Sequence, residues 1–372
     1  MTTSIVIAIT VTASPAAAQD DEPEDERLTI SADARFRLED TLEAGQRPAR
    51  FRGRLRYRLQ ATYEPTPKLR VGARVTTGNP EDPNSPYQDL GETFERFPLS
   101  MDRLFLAWTP VRQLQITAGK FGHSFLSNPV YGELVWDADV QPEGLAVRYL
   151  SSTTAGRAFG SGVVGHYTLL EQSRASESDA TVAQIGGELP LARGVVARAA
   201  VGYYAYRNLT PDGAADVLLK NRGNSIADIN GDGAPDAFAS GFRILDTMLH
   251  FRFSESSSPL YVGGQYWRNF EAEIADDSGW ALGGSYGALV GRGDWRLYYQ
   301  FQRVEQDSVF ASFVQDDFVH TTNYDGHILG AARRVLPNAD LHFWALGSRP
   351  IHAKDGENPR IWRLRADFTL VF

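Results

Sequence analysis

The residues best suited to carry chemistry are arginines placed at every second position. Arg50, Arg52, Arg54, Arg56 and Arg58 alternate with Phe51, Leu55, Tyr57 and Leu59. Arg35 and Arg37 alternate in the same way with Phe36 and Leu38, Arg70 and Arg74 with Val71 and Val75, and Arg363 and Arg365 with Trp362, Leu364 and Ala366. A guanidinium stays charged at any accessible pH, and its planar fork matches carboxylate and phosphate. Gathered on one face, these side chains would form a basic wall able to orient or select solutes. Asp33, Glu39 and Asp367 share that face, so a hydrophilic surface neutralised by ion pairs is the competing reading.

A period of two is the signature of strands with one apolar and one polar face. Such strands are expected at 28–40, 50–65, 69–77, 101–110, 114–120, 143–151, 157–171, 180–189, 195–206, 242–253, 260–270, 279–289, 295–304, 324–335, 340–349 and 360–372. Their connections alternate between short ones, such as Thr66-Pro67-Lys68, Val111-Arg112-Gln113 and Pro337-Asn338-Ala339, and long ones near 78–100, 121–142, 207–241, 305–323 and 350–359. A soluble sandwich has no reason to alternate so, whereas outer-membrane barrels have tight periplasmic turns and long extracellular loops. The expected fold is all-β, a transmembrane antiparallel barrel of about sixteen strands, an even number as this class requires. Trp108 and Tyr63 fall at short-turn ends and Trp267, Trp280 and Trp362 at long-loop ends, as two interfacial girdles would. In lipid a sheet can leave no open edge, and with so many strands water must fill the lumen. Arginine on the lipid face would cost about 2–4 kcal/mol at mid-membrane, so the arginines should face inward.

Composition agrees. The 372 residues are 42% hydrophobic and 22% charged, too polar for a bundle of membrane helices, and aromatic residues make up 11%. With no cysteine, disulfides and zinc–thiolate sites are excluded, and a net charge of −9 argues against a nucleic-acid partner. Residues 1–18 read as a signal peptide, with Ala16-Ala17-Ala18 before the cleavage point, 19–27 as an acidic periplasmic tail and 28–372 as the barrel. The first residues lack the usual Lys or Arg, which suggests a start codon further upstream.

Loop 121–142 carries Glu133, Asp137 and Asp139. Folded inward, it would set acids against the arginines and a transverse field across a constriction; an ordinary external loop is the alternative. Glu92 and Glu95 are further acidic contributors. Asp228, Asn230, Asp232 and Asp236, with the Ala234 carbonyl, match the ligand spacing of a calcium loop in which Gly233 permits the turn. Position 12 would be Ala239, so an EF-hand is excluded, and a polar Asn/Gly/Asp turn remains the other reading. Gly160 to Gly165 fits GxGxxG but lies in an expected strand, and Arg292-Gly293-Asp294 lies in a short turn, so neither implies a ligand. No other cofactor is implied. His123-Ser124 is no dyad, since neighbours in extended chain point apart.

Several segments resemble the putative porin family of Gram-negative outer membranes. The fullest is Gly293 to Gly330, GDWRLYYQFQRVEQDSVFASFVQDDFVHTTNYDGHILG, joined by Thr76–Pro83, AGKF at 118–121, Val135–Val147 and Gly202–Tyr206. The resemblance implies a water-filled outer-membrane channel for passive diffusion of small hydrophilic solutes or ions, and it assigns no transport residue. The partners expected are outer-membrane lipid and lipopolysaccharide, the barrel-insertion machinery reading the strand that ends at Phe372, and solutes, with a homotrimer left open. Two other functions are weighed. An outer-membrane lipid hydrolase would need a Ser/His pair at the outer leaflet, for which the sequence offers no convincing candidate, and a surface-binding or structural barrel would have an occluded lumen.

Overall fold

The computed structural model of the protein describes residues 27–45, 47–132, 134–151, 158–171, 177–209, 221–254, 258–353 and 358–372. The expected signal peptide and the acidic tail up to residue 26 lie outside them. Sixteen antiparallel strands form a closed barrel: β1 Leu28–Thr41, β2 Arg50–Thr66, β3 Leu69–Thr77, β4 Leu99–Val111, β5 Leu114–Lys120, β6 Glu143–Leu150, β7 Phe159–Leu170, β8 Ser178–Ala192, β9 Val195–Arg207, β10 Arg243–Phe253, β11 Leu260–Asn269, β12 Ser278–Gly287, β13 Trp295–Val304, β14 Tyr324–Leu336, β15 Ala339–Pro350 and β16 Ile361–Val371. Each strand pairs with its chain neighbours, and β16 closes on β1 from Asp33↔Val371 to Thr41↔Arg363. Where β3 ends, Gln88–Asp89 takes over pairing with Leu55 and Arg54 of β2.

Alternation decides the facing. Val164, Ile185, Leu189, Leu282 and Phe343 are more than half exposed on the outside, while their chain neighbours point inward. Pro67–Lys68, Arg112–Gln113, Arg193–Gly194 and Pro337–Asn338 make two-residue turns. Gly194 has φ +74°, a conformation that a side chain would strain. Tyr63 and Trp108 are exposed at the short-turn rim. Trp267 is the exception to the expected girdle. It is fully buried and its indole N–H donates to Ser308 Oγ at 3.3 Å. It shares the inner face with Gln265 and Asn269, and Tyr266 takes the outward place. Gly279 leaves it room, since a Cβ there would come within 2.4 Å of the indole.

Loops 121–142 and 305–323 fold deep into the lumen, and Asn84, Ser85 and Tyr87 of the loop after β3 are buried there too. In loop 121–142, Trp136 packs against Phe125, Tyr167, Tyr204 and Phe313 with ring centroids 5.4–6.4 Å apart. Loop 305–323, expected outside with the other long loops, is also interior: Val309, Phe310 and Ala311 are fully buried. Phe310 sits 4.7 Å from Tyr206 and 5.3 Å from Phe242. An aromatic run in a loop has little reason to stay in water when an interior face can cover it. The buried backbone finds partners too, because the Asn224 amide donates to the Gln306 and Val309 carbonyls and accepts from Ala311 N–H.

Candidate functional site: an arginine-lined constriction

All eleven arginines of the expected wall project from the inner faces of β16, β1, β2 and β3. Register sets them in cross-strand rows with acids: Arg37 lies opposite Asp367 and Arg54, Glu39 opposite Arg365 and Arg52, and Asp33 opposite Arg58. Arg37 forms a bidentate pair with Asp367 at 2.8 and 2.9 Å. Glu39 accepts from Arg52 Nε at 2.7 Å and from Arg365 Nε at 2.6 Å, with Arg363 at 3.6 Å. Asp33 holds Arg56 and Arg58 at 2.7 and 2.8 Å. Arg74 pairs with Asp102, and the more exposed Arg70 with Glu64 near the short-turn rim. Arg35 donates to Thr369 Oγ1 and to the Tyr87 hydroxyl. Much of the wall's charge is therefore compensated locally, as the neutralising reading anticipates.

The inward loops supply the remaining acids. Asp89 accepts from Arg54 Nε at 2.7 Å, Arg52 at 3.0 Å and Arg50 at 3.2 Å. Tyr87 lays its ring against Arg37, whose guanidinium carbon is 4.2 Å from the ring centroid, and faces Arg54 at 4.9 Å. Of the acids expected in loop 121–142, Asp139 reaches Arg58 at 3.2 Å. Asp137 is buried and accepts from Asp139 N–H, a turn-forming contact. Glu133 lies outside the described residues. Glu92 accepts from Gln88 in an exposed turn, and Glu95 is exposed as well.

Sequence reasoning missed Asp316 and Asp317 because loop 305–323 was read as external. Asp317 binds Arg365, lies 3.9 Å from Arg37 and accepts from the Tyr131 hydroxyl at 2.9 Å, which joins the two inward loops to the wall. Burial pushes the Asp317 carboxyl up, but Arg365 and Arg37 outweigh it and hold the group below its ordinary range. Asp316 is shifted the other way, first by burial and then by the Asp317 charge.

Wall and loops enclose a cavity of about 750 Å³ lined by seven arginines and four aspartates, with Tyr87, Tyr298, His342 and Trp344 between them. Two of its arginines lie outside the expected wall. Arg103 donates to Gln141 Oε1 at 2.8 Å, and Arg296 to the Pro129 and Val130 carbonyls at 2.9 Å. Neither has a carboxylate within 4 Å among the described residues. They tie the end and the middle of loop 121–142 to nearly opposite sides of the barrel. Arg296 was legible, since Trp295, Leu297 and Tyr299 alternate with it on the outer face. Arg103 was not, because a bulge breaks the alternation. Met101 and Leu104 both stay outward, so Asp102 and Arg103 both turn in. His123 lines the same cavity, and burial together with Arg103 pushes it down to about 4.

Two other motifs are placed by the fold. Asp228, Asn230 and Asp232 stand exposed, and Asp236 half-buried, between the paired dipeptides Ile226–Ala227 and Ala237–Phe238. Their side chains accept backbone N–H groups of their own loop, Asp228 from Gly231 and Gly233 and Asp236 from Ile229 and Asn230. Ala234 N–H donates to Asp232, and among the described residues no three His, Asp or Glu side chains converge on a metal position. His320 Nδ1 and Ser348 Oγ are 2.9 Å apart. The serine is buried on the inner face, and burial with Arg47 and Arg363 nearby pushes the histidine down to about 4. An inward serine beside so weak a base does not suit the hydrolysis of membrane lipid.

Comparison with known proteins gives the same architecture. The chain resembles OprB of Pseudomonas putida with a TM-score of 0.63 at 13% identity, covering 94% of this chain and 95% of that one. It resembles the anion-selective porin of Comamonas acidovorans with a TM-score of 0.54 at 9% identity over 93% and 99% of the two chains. For OmpF of Salmonella typhi the values are 0.53, 12%, 93% and 97%. At these identities the likeness is one of fold. No curated protein sequence matches the chain. A family model described as “putative porin” matches residues 14–240, more than half of the sequence. The chain thus belongs to the putative porin family and is a β-barrel channel of the Gram-negative outer membrane.

Proposed function

We propose that this channel conducts small hydrophilic solutes with a preference for anions, above all those carrying a carboxylate or phosphate group. The observation that carries this reading is the pair Arg103 and Arg296, which line the cavity with no carboxylate within 4 Å among the described residues, Arg103 on Gln141 and Arg296 on two backbone carbonyls and the Tyr298 ring. The wall arginines beside them add shape and polarity, but much of their charge is met by Asp33, Glu39, Glu64, Asp89, Asp102, Asp139, Asp317 and Asp367. Fixed charge lining a constriction sets which ions enter. The Comamonas acidovorans porin of like fold is anion-selective, which supports the reading without assigning residues. The chain has no catalytic role in this account, and solutes cross by diffusion.

Liposome swelling with three solutes of similar size tests it. Gluconate should enter faster than glucose, and glucose faster than protonated glucosamine. If glucosamine enters fastest, the proposed preference is wrong.

A further inference from the structure

Strands β6 to β13 also carry arginine on the inner face, and there the charge is not balanced. Arg148, Arg198, Arg252 and Arg296 lie within three residues of the short-turn ends of β6, β9, β10 and β13. Their facing follows from their neighbours. Val147 and Tyr149 flank Arg148, Trp295 and Leu297 flank Arg296, and all four flanking residues are more than a third exposed on the outside. The buried Ala200 and Tyr204 of β9 share the parity of Arg198, and the buried Met248 and His250 of β10 share that of Arg252. All four arginines are half-buried.

Among the described residues the inner face of β6 to β13 turns in two carboxylates. Glu188 lies 3.4 Å from Arg198, and Asp246 is buried and held by Gln265 at 2.9 Å. Arg148 and Arg252 have no ion pair or hydrogen bond there, and the Nε–H groups of Arg148 and Arg198 are buried without an acceptor. A buried donor left unpaired costs free energy that an arriving acceptor restores. The remaining sector differs at the same depth. Arg70 rests on Glu64 at 2.6 Å and Arg334 on Asp340 at 2.8 Å.

Spacing selects the acceptor. Arg198 faces His250 across the ladder and Arg252 follows two residues on, so the two stems start about 7–8 Å apart. Tyr261 stands opposite Arg252 and adds a hydroxyl. Two guanidinium forks at that separation can each take one anionic group of the same small solute, which a halide or a monocarboxylate cannot offer. Arg148, Arg198 and Arg252 lie outside the constriction cavity. Salt screens charge over about 10 Å, so they act on multivalent anions bound beside them and leave the chloride-to-potassium ratio to Arg103 and Arg296.

We infer that Arg198 and Arg252, with Arg148 on the same sector, form a second anion site on the periplasmic side of the constriction that binds solutes carrying two or more anionic charges. The inference rests on the proposed anion conduction and adds to it a site and a charge class. Single channels in potassium chloride, with pyrophosphate added to one compartment and then to the other, test it. Pyrophosphate should block the current at lower concentration from one side, because only the short-turn mouth leads to the site without passing the constriction. Acetate at the same concentration should leave the current unchanged. In R148Q/R252Q, where neither lost arginine strands a carboxylate, block should need about ten-fold more pyrophosphate, the equivalent of one charge-assisted hydrogen bond. That variant should keep its chloride-to-potassium ratio, and R70Q in the opposite sector should be blocked like the wild type. Absent block, block of equal strength from both sides or by acetate, or block unaltered in R148Q/R252Q would overturn the inference. The reversal potential of the same channels without pyrophosphate reports the general anion preference apart from the block, so a failure of either is seen by itself.

Discussion

Ion preference in this channel is decided at a few side chains, and one of them titrates where it can be measured. Burial, reinforced by the Asp317 charge, raises the Asp316 carboxyl above its ordinary range despite Arg365, Arg54 and Arg222 nearby. Asp317 is held below it by Arg365 and Arg37. As pH falls from neutral, Asp316 therefore takes up its proton before Asp317. The cavity loses a negative charge while every arginine keeps its positive one. His123, held down at about 4, stays neutral across that range. Anion preference should rise as pH is lowered from about 7.5 to about 5, a window above the ordinary carboxylate range and therefore on the side to which burial shifts Asp316. In Asp316→Asn the preference should already be high at neutral pH and nearly constant with pH, as read from reversal potentials at both values. A rise of equal size in the variant would place the titrating group elsewhere. At this scale the sequence was a good guide at Arg35 and Arg54, where alternation held, and the same alternation marks Arg296, which lay outside the expected wall. It was a poor guide at Arg103, because a bulge leaves no mark in the order of residue types.

Among the elements, loop 121–142 sets the size of the opening. It is held by Trp136 packed among Phe125, Tyr167, Tyr204 and Phe313, by Leu126 exchanging two hydrogen bonds with Gln184, and by Tyr131 on Asp317. Replacing a buried tryptophan by alanine removes about 3–5 kcal/mol of packing. Trp136→Ala should let the loop move off the wall of β7 to β9, giving a larger and noisier single-channel conductance with the barrel intact. A conductance unchanged in size and noise would show that the hydrogen bonds alone hold the loop. The strands were legible because a two-residue period survives in any register. The inward fold of loop 305–323 was not, because its acids and aromatics read equally well as an exposed segment until the lumen exists to bury them. Trp267 was misplaced for a related reason: rim position is visible in sequence, but which face a rim tryptophan takes depends on Gly279 across the strand.

For the whole molecule, closure of β16 on β1 brings the two ends of the chain's arginine pattern together. Arginines more than 300 positions apart in sequence become one wall, as Arg52 and Arg365, both bound to Glu39, illustrate. The net charge of −9 therefore says little about what the lumen attracts, since charge is sorted by location rather than summed. The most direct test of the account is the reversal potential of single channels in a potassium chloride gradient at neutral pH, for the wild type and for R103A/R296A. The account predicts that chloride is more permeant than potassium in the wild type and that the ratio falls to about one in the double variant, as loss of unpaired lumen charge requires. A wild-type channel that prefers potassium, or a double variant with an unaltered ratio, would contradict it.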